Sequence, residues 1–395
     1  MQIKDLVLLD GARTPMGEFN ESFAGISAID LGAHAAKAAL ERSGVAPEEI
    51  DHTVVGNALQ TSPDAIYGAR HVALKAGVPK ESPALTVNRL CGSGIQAIIS
   101  GAQNILTGDA TTCLVGGMES MSMAPHVIWG ARSGFKLGQG KLEDLLMISL
   151  MDGYCGFYMA QTSNNLSRDY GISREAQDAY ALESQRRTAA AVAAGKLAQE
   201  IVPYPVGSGK RAKLVEHDEH PRPDTTMEIL AKLPTAFDKD GFVTAGNASG
   251  IVDGAAMMVL TTAERAKEKG RQPLGRLLSW AMVGVEPSRM GIGPAPAIRK
   301  ALDKAGLKLS DLKLIEINEA FAGQILAVVK ELDLDTEKLN VNGGAIALGH
   351  PLGATGARIT LTLLKELQRR GGGLGVASAC IGGGQGIALV VEQGG

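Results

Sequence analysis

Apolar residues recur at helical spacing at Ile95, Ile98, Ile99, Ala102, Ile105 and Leu106 and stop at Gly108, a pattern that predicts an amphipathic helix with one buried face. Ahead of it the β-prone run at residues 84–87 predicts a strand, and the turn between the two, within "NRLCGSG" (88–94), places Cys91 at the helix N-terminus. The runs at 111–115 and in "TVVGN", "LIEIN", "LGVASA" and "IALVVE" read as further strands, and residues 174–194 as an amphipathic helix. Strands alternating with helices predict an α/β protein whose mainly parallel sheets are covered by helices.

The pattern also repeats. "ALERSG" (39–44) matches "ALDKAG" (301–306) at an offset of 262, and each is followed by an acidic linker and a strand ending at an asparagine, Asn57 or Asn318. Cys91 and His350 then stand at two helix starts, 259 residues apart. Landmarks at nearly constant offset imply duplication. The division expected is a first half at 1–120, an insert at 121–248 and a second half at 249–395. The insert holds turn-rich stretches and a polar run, the kind of segment that carries binding surfaces.

Packed about a pseudo-two-fold axis, the halves would bring Cys91 and His350 face to face, and an imidazole beside a thiol activates a nucleophile. The helix dipole is expected to lower the Cys91 pKa further. A small buried thiol is the competing reading. A dinucleotide fingerprint at Gly92, Gly94 and Ala97 ranks last, because the next strand ends in Gly116 and Gly117 rather than an acidic residue. Cys380 lies where "IGGGQG" predicts a tight turn between two strands, while His217 and His220 read as part of a solvated loop.

Composition narrows the classes. A net charge of -3 leaves no footprint for nucleic acid or an anionic membrane, and four cysteines without a CxxC pair exclude a disulfide scaffold and a zinc site, so no metal is expected. No run of 18 apolar residues occurs, the N-terminus lacks a signal-peptide pattern and "EQGG" is not a peroxisomal address, so a cytoplasmic setting is expected. Glycine, at 50 of 395 residues, is about twice its usual frequency of roughly 7% and clusters in short loops, which suggests a site built largely from main chain.

These residues together resemble the thiolases, the acetyl-CoA C-acetyltransferase and 3-ketoacyl-CoA thiolase family. The likeness runs from "RTPMG" (13–17) through "NRLCGSG", "GGMESMS" (116–122), "VTAGNASGIVDGAA" (243–256), "NEAFA" (318–322) and "NVNGGAIALGHPLGATGAR" (340–358) to "CIGGGQG" (380–386). It implies two βαβαβαββ halves in a five-layered αβαβα body with an inserted loop domain. It also implies that Cys91 carries an acyl group with His350 as its base, and that Cys380 moves the α-proton. One oxyanion hole would come from His350 with a water held by Asn318, the other from the N–H groups of Cys91 and Gly382. Coenzyme A, as substrate and without a further cofactor, would lie along Leu150, Met159, Ala248, Ser249, Ala320 and Phe321, with Arg222 near its nucleotide end. Only the group Lys210, Arg211, Lys213 and Arg222 hints independently at a phosphate site, since residues 121–250 hold 14 Lys and Arg against 15 Asp and Glu. Family members are homodimers or homotetramers, and residues 126–147 resemble the tetramerisation loop.

The chain departs from the family at "YMAQTSNNLS" (158–167), where "HMGxTAENVA" is common, and at "GIVD" (250–253), where "GIND" is common. Tyr158 is therefore expected to shift acyl selection. Two other functions share the fold. A decarboxylating ketoacyl synthase would lack the second cysteine, and a non-catalytic acyl-CoA-binding scaffold would lose site residues that this chain keeps.

Overall fold

The computed structural model describes residues 2–207, 209 and 212–394, so Lys210 and Arg211 lie outside the described residues. The main sheet has ten strands, the short Gly17–Glu18, which pairs with Val252 and Asp253, and nine in continuous order: β1 (Leu6–Arg13), β2 (His52–Gly56), β3 (Ala84–Val87), β4 (Thr112–Glu119), β5 (Val252–Thr262), β6 (Gly275–Gly284), β7 (Leu314–Ile317), β8 (Gly373–Ile381) and β9 (Gln385–Gln393). The described residues form eight helices of nine residues or more: α1 (Ala28–Ser43), α2 (Gly68–Ala76), α3 (Ser93–Thr107), α4 (Met159–Asp169), α5 (Arg174–Ala193), α6 (Pro294–Ala305), α7 (Ala322–Leu332) and α8 (Leu352–Arg369). The helices expected around residues 95–106 and 174–194 are α3 and α5. Gly108, in the left-handed conformation at φ 85°, ends α3 by letting its N–H reach back to the Asn104 and Ile105 carbonyls.

The strand order is β7-β8-β9-β6-β1-β5-β4-β2-β3. Only two residue pairs, Val7 with Arg276 and Leu8 with Gly275, join β1 to β6, so the sheet divides there into one part per half. Helices α1 and α2 cover the outer face of the first part, with Ile29, Leu31, Val72 and Ala73 fully buried. On the outer face of the second part, α6 and α7 bury Ile298, Ile325 and Val328. Helices α3 and α8 fill the space between the parts, where Ile95, Ile98, Ile99, Leu361 and Leu364 pack against strands of both. These are the five layers αβαβα. Each fully buried Ile or Leu in the middle layer contributes about 1.5–3 kcal/mol.

Two expectations need correction. The sheet is mixed: β2–β3, β2–β4 and β7–β8 are parallel, and every other pair in the strand order is antiparallel. In addition, β5 lies between β1 and β4, so the strand after the insert completes the first half, and the second half starts at β6 rather than at residue 249. An antiparallel partner needs no helical crossover, so the chain can run through the insert before returning to close the first sheet.

The duplication is visible where α3 meets α8. A Cβ on Gly94 would press on the Ala357 nitrogen, and one on Gly356, 262 residues later, on the Ile95 nitrogen. Only glycine permits this backbone contact. By that offset the counterpart of Cys91 is Gly353, so His350 stands three residues ahead of it, before α8 begins.

Candidate active site

Cys91 sits in the one-turn helix Leu90–Gly92 between β3 and α3. Leu90 is held at a φ of 46°, in the left-handed region that costs a branched residue of order 1–3 kcal/mol. Neighbours fix it there: its N–H donates to Asn88 Oδ1 at 2.9 Å, and its carbonyl accepts from Ser93 Oγ at 2.7 Å. Arg89 ties the turn to the second half, donating to Gln96 Oε1 and Gln385 Oε1, both at 2.8 Å. The Cys91 thiol receives the N–H groups of Gly382 and of Cys91 itself, yet burial pushes it up to about 11, with the Glu119 charge adding to the rise. The lowering expected from the helix N-terminus is therefore overturned, because desolvation of the thiolate outweighs the two donors.

His350 is anchored before α8 by its N–H, which donates to the Gly250 carbonyl at 2.9 Å. Its Nδ1 lies 2.6 Å from Thr355 Oγ1, whose own hydrogen goes to the Pro351 carbonyl at 2.9 Å. This chain of donors assigns the ring proton to Nδ1 and leaves Nε2 as an acceptor. Asn318 Nδ2 lies 3.3 Å from Nε2, and the buried Asn318 Oδ1 has no hydrogen-bond partner. Burial, and secondarily the Arg358 charge, lower His350 to about 3, so the imidazole is neutral.

Cys380 is fully buried at the end of β8, packed against Met290 and Ala320 with Met159 and Phe321 alongside. Burial and then the neighbouring Cys91 push its thiol far above the ordinary range. The glycine turn expected after it is present, with β8 and β9 joined through Gly382, Gly383 and Gly384 and the last two at a φ of 80°. Gly382 carries its N–H to Cys91 by virtue of this turn.

One mainly apolar cavity of about 720 Å³ opens onto Cys91, His350 and Gly382. Leu150, Met159, Ala248, Ser249, Ala320 and Phe321 all line it, as expected, whereas Asn318 and Cys380 lie just beneath its surface. Arg222 is not among the lining residues. It is exposed, donating to the carbonyls of Glu219, His220 and Pro221 and to Glu18 Oε2. Lys213 is exposed as well and reaches Ser22 Oγ at 3.1 Å.

The chain from residue 6 to 264 matches the family model described as "Thiolase, N-terminal domain", and residues 271–393 match "Thiolase, C-terminal domain". The chain belongs to the thiolase family. It is 51% identical to the human protein named "3-ketoacyl-CoA thiolase, mitochondrial", over 99% of both chains, and 49% identical to the Escherichia coli "Acetyl-CoA acetyltransferase", over 99% of this chain and 100% of the relative. The crystal structure of human mitochondrial 3-ketoacyl-CoA thiolase superimposes with a TM-score of 0.97 at 51% identity, covering 100% of both chains. A structure of that human enzyme in complex with CoA gives 0.96 at 52% identity, covering 99% of this chain and 98% of the other.

In this thiolase the lining residues not expected from the sequence include Phe237, Glu18 and His220. Phe237 faces Tyr158 with ring centroids 4.9 Å apart. Glu18 and His220 form a pair, Oε2 to Nδ1 at 2.7 Å, against Gly250. Sequence placed His220 in a solvated loop, but the loop folds back onto the short strand Gly17–Glu18 and buries most of the imidazole. The hydrophobic run around Phe237 is too short to signal a pocket wall.

Proposed function

We propose that this thiolase works as an acyl-CoA C-acetyltransferase through an acyl group carried on Cys91, catalysing thiolysis of 3-ketoacyl-CoA and the reverse Claisen condensation. The observation that carries the reading is the convergence of Cys91, His350, Gly382, Asn318 and Cys380 at one wall of a single apolar cavity. In thiolysis the Cys91 sulfur attacks the 3-keto carbon as His350 Nε2 takes its proton. The bond between carbons 2 and 3 breaks, its electron pair passes to the departing acetyl-CoA enolate, and Cys380 protonates that carbon. The thiol of a second coenzyme A then gives its proton to the Cys380 thiolate and attacks the acyl carbon; the bond from that carbon to the Cys91 sulfur breaks, His350 returns its proton to Cys91, and acyl-CoA leaves.

Burial keeps both the Cys91 thiol and the His350 imidazole neutral in the free protein and opposes transfer of a proton between them. Bound substrate, whose oxyanion the N–H donors meet, must offset that cost. The N–H groups of Cys91 and Gly382, which address Sγ in the free protein, are placed for the oxyanion of the acylated state. The unpartnered Asn318 Oδ1 beside His350 Nε2 supports the water-assisted second hole. Coenzyme A enters as substrate along the lining residues named above, and two thiols, one imidazole and backbone donors suffice without a cofactor.

We further propose a homo-oligomeric, cytoplasmic protein. The edge strand β3 exposes Leu85 beside Ile66 and Tyr67, and the short hairpin His126–Ile128 with Leu142–Asp144 exposes Trp129, Phe135 and Leu137, apolar surface that second copies would cover. Four free cysteines suit a reducing compartment, and no helix among the described residues is long and apolar enough to cross a membrane. Incubation with acetyl-CoA followed by peptide mass spectrometry tests the core of the reading: the acetyl adduct is expected on Cys91, and an adduct confined to Cys380, Cys113 or Cys155 would overturn it.

A further inference from the structure

Glu119 ends β4, is fully buried, and takes no part in the chemistry described above. Its carboxylate accepts four hydrogen bonds: Asn57 Nδ2 at 2.7 Å, Ala58 N at 3.0 Å, Leu59 N at 3.1 Å and Gly353 N at 2.8 Å. All four partners are donors, and the fourth belongs to the first turn of α8, where unpaired N–H groups and the positive end of the helix dipole gather. An acceptor-only carboxylate matches this cradle, whereas a protonated acid would turn an O–H against an N–H. Burial works the other way and raises the carboxyl to about 7 against the pull of the backbone donors.

The contact leaves no slack. A Cβ on Gly353 would lie 2.6 Å from the Met118 carbonyl and 2.8 Å from Asn57 Cα. His350 stands three residues before Gly353 and is held through Nδ1 by Thr355, two residues after it. The frame that aims the imidazole is therefore the same turn that Glu119 grips.

The duplication shows what kind of position this is. Cys380 follows Glu119 by 261 residues, as Asn318 follows Asn57. The β8 end crosses to the start of α3, where Ile381 packs against Gly92 and the Gly382 N–H meets Cys91. The β4 end crosses in the same sense to the start of α8.

We propose that Glu119 is a positioning residue of the reaction: its carboxylate clamps the end of β2 to the first turn of α8 and thereby fixes His350 between Cys91 and Asn318. The proposal rests on the role given to His350 above. The test is steady-state thiolysis of acetoacetyl-CoA by the full chain and by Glu119→Gln, with active sites counted by Cys91 acetylation. The amide keeps the shape but turns an NH2 toward backbone donors. The expected result is a fall in kcat per active site of about tenfold, and at least threefold, with KM within twofold.

A purely structural role would lower the yield of folded protein and leave kcat per active site intact. That result, a kcat loss below threefold, or a rise in KM alone would overturn the proposal. Should Glu119→Gln not fold, Asn57→Ala removes one donor without touching α8 and is expected to lower kcat two- to fivefold at constant KM, and an unchanged kcat would be equally fatal. A wild-type protein without turnover would instead sink the assignment of function, and the clamp with it.

Discussion

Asn57 and Glu119 close one corner of the molecule, and Asn318 and Cys380 close its counterpart 261 residues later. At the first corner the Asn57 amide donates to Glu119 and to the Met118 carbonyl, and the carboxylate takes four donors. At the second, Asn318 Oδ1 is left without a partner, Cys380 packs among methionine and alanine side chains, and His350 stays neutral. The two corners share a backbone and differ in how completely their polar groups are satisfied. A saturated network rigidifies; incomplete hydrogen bonding leaves donors and acceptors for a substrate. On the proposed mechanism, the duplicated fold leaves anchoring to the Asn57–Glu119 corner and proton transfer to the Asn318–Cys380 corner.

Removing the reacting atoms should hurt most. Cys91→Ser is expected to abolish acyl-enzyme formation and condensation together, by about 10³-fold or more, roughly 4 kcal/mol of barrier. Cys380→Ser should still acetylate at Cys91 while losing about 10²- to 10⁴-fold in condensation, since only the proton transfer at carbon is removed. Burst acetylation and steady-state assays of the two variants separate the half-reactions. Near wild-type condensation by Cys380→Ser would mean that the second corner is as inert as the first.

A smaller effect tests the symmetry itself. Because Gly94 and Gly356 meet each other's helix through backbone, Gly94→Ala and Gly356→Ala should each destabilise by roughly 1–3 kcal/mol through overpacking, with similar shifts in thermal midpoint. Widely unequal shifts would show that the two helices do not share the contact evenly.

Much of this was legible in the sequence because it is local. Periodicity located α3 and Gly108 marked its end, a helix was legible at α5, the glycine run marked the β8–β9 turn, and constant offsets exposed the duplication. The placement of β5 was not legible, since a strand's sequence does not name its neighbours, and only pairing with β1 and β4 assigns it to the first half. The Cys91 thiol departs from expectation for a related reason: the helix start is visible in sequence, but the burial that outweighs its N–H donors arises only when the chain is folded. His220 looked solvated because its cover, Glu18 and Gly250, is distant in the chain. Glu119 stood in plain view within "GGMESMS", yet its four donors come from two remote segments.

The smallest expected effect lies at the Tyr158–Phe237 wall of the cavity. Tyr158 is half-buried before α4, its backbone N–H donating to Gln161 Oε1 at 2.9 Å, and its ring meets Phe237 at 4.9 Å with the planes tilted by 36°. Such a pair contributes about 0.5–1.5 kcal/mol beyond burial and stiffens the wall. Histidine is smaller and more polar, so Tyr158→His should loosen that wall without disturbing Cys91, His350, Asn318 or Cys380. One methylene in an apolar pocket is worth about 1–3 kcal/mol, so the change should appear as a re-ranking of acyl substrates rather than a loss of any. Cys91 acetylation by acetyl-CoA should stay within roughly tenfold, about 1.4 kcal/mol. The ratio of kcat/KM for acetoacetyl-CoA to that for a six-carbon 3-ketoacyl-CoA decides the matter. An unchanged ratio would show that the acyl chain does not meet the Tyr158–Phe237 wall, and that selection lies nearer the corner that carries the chemistry.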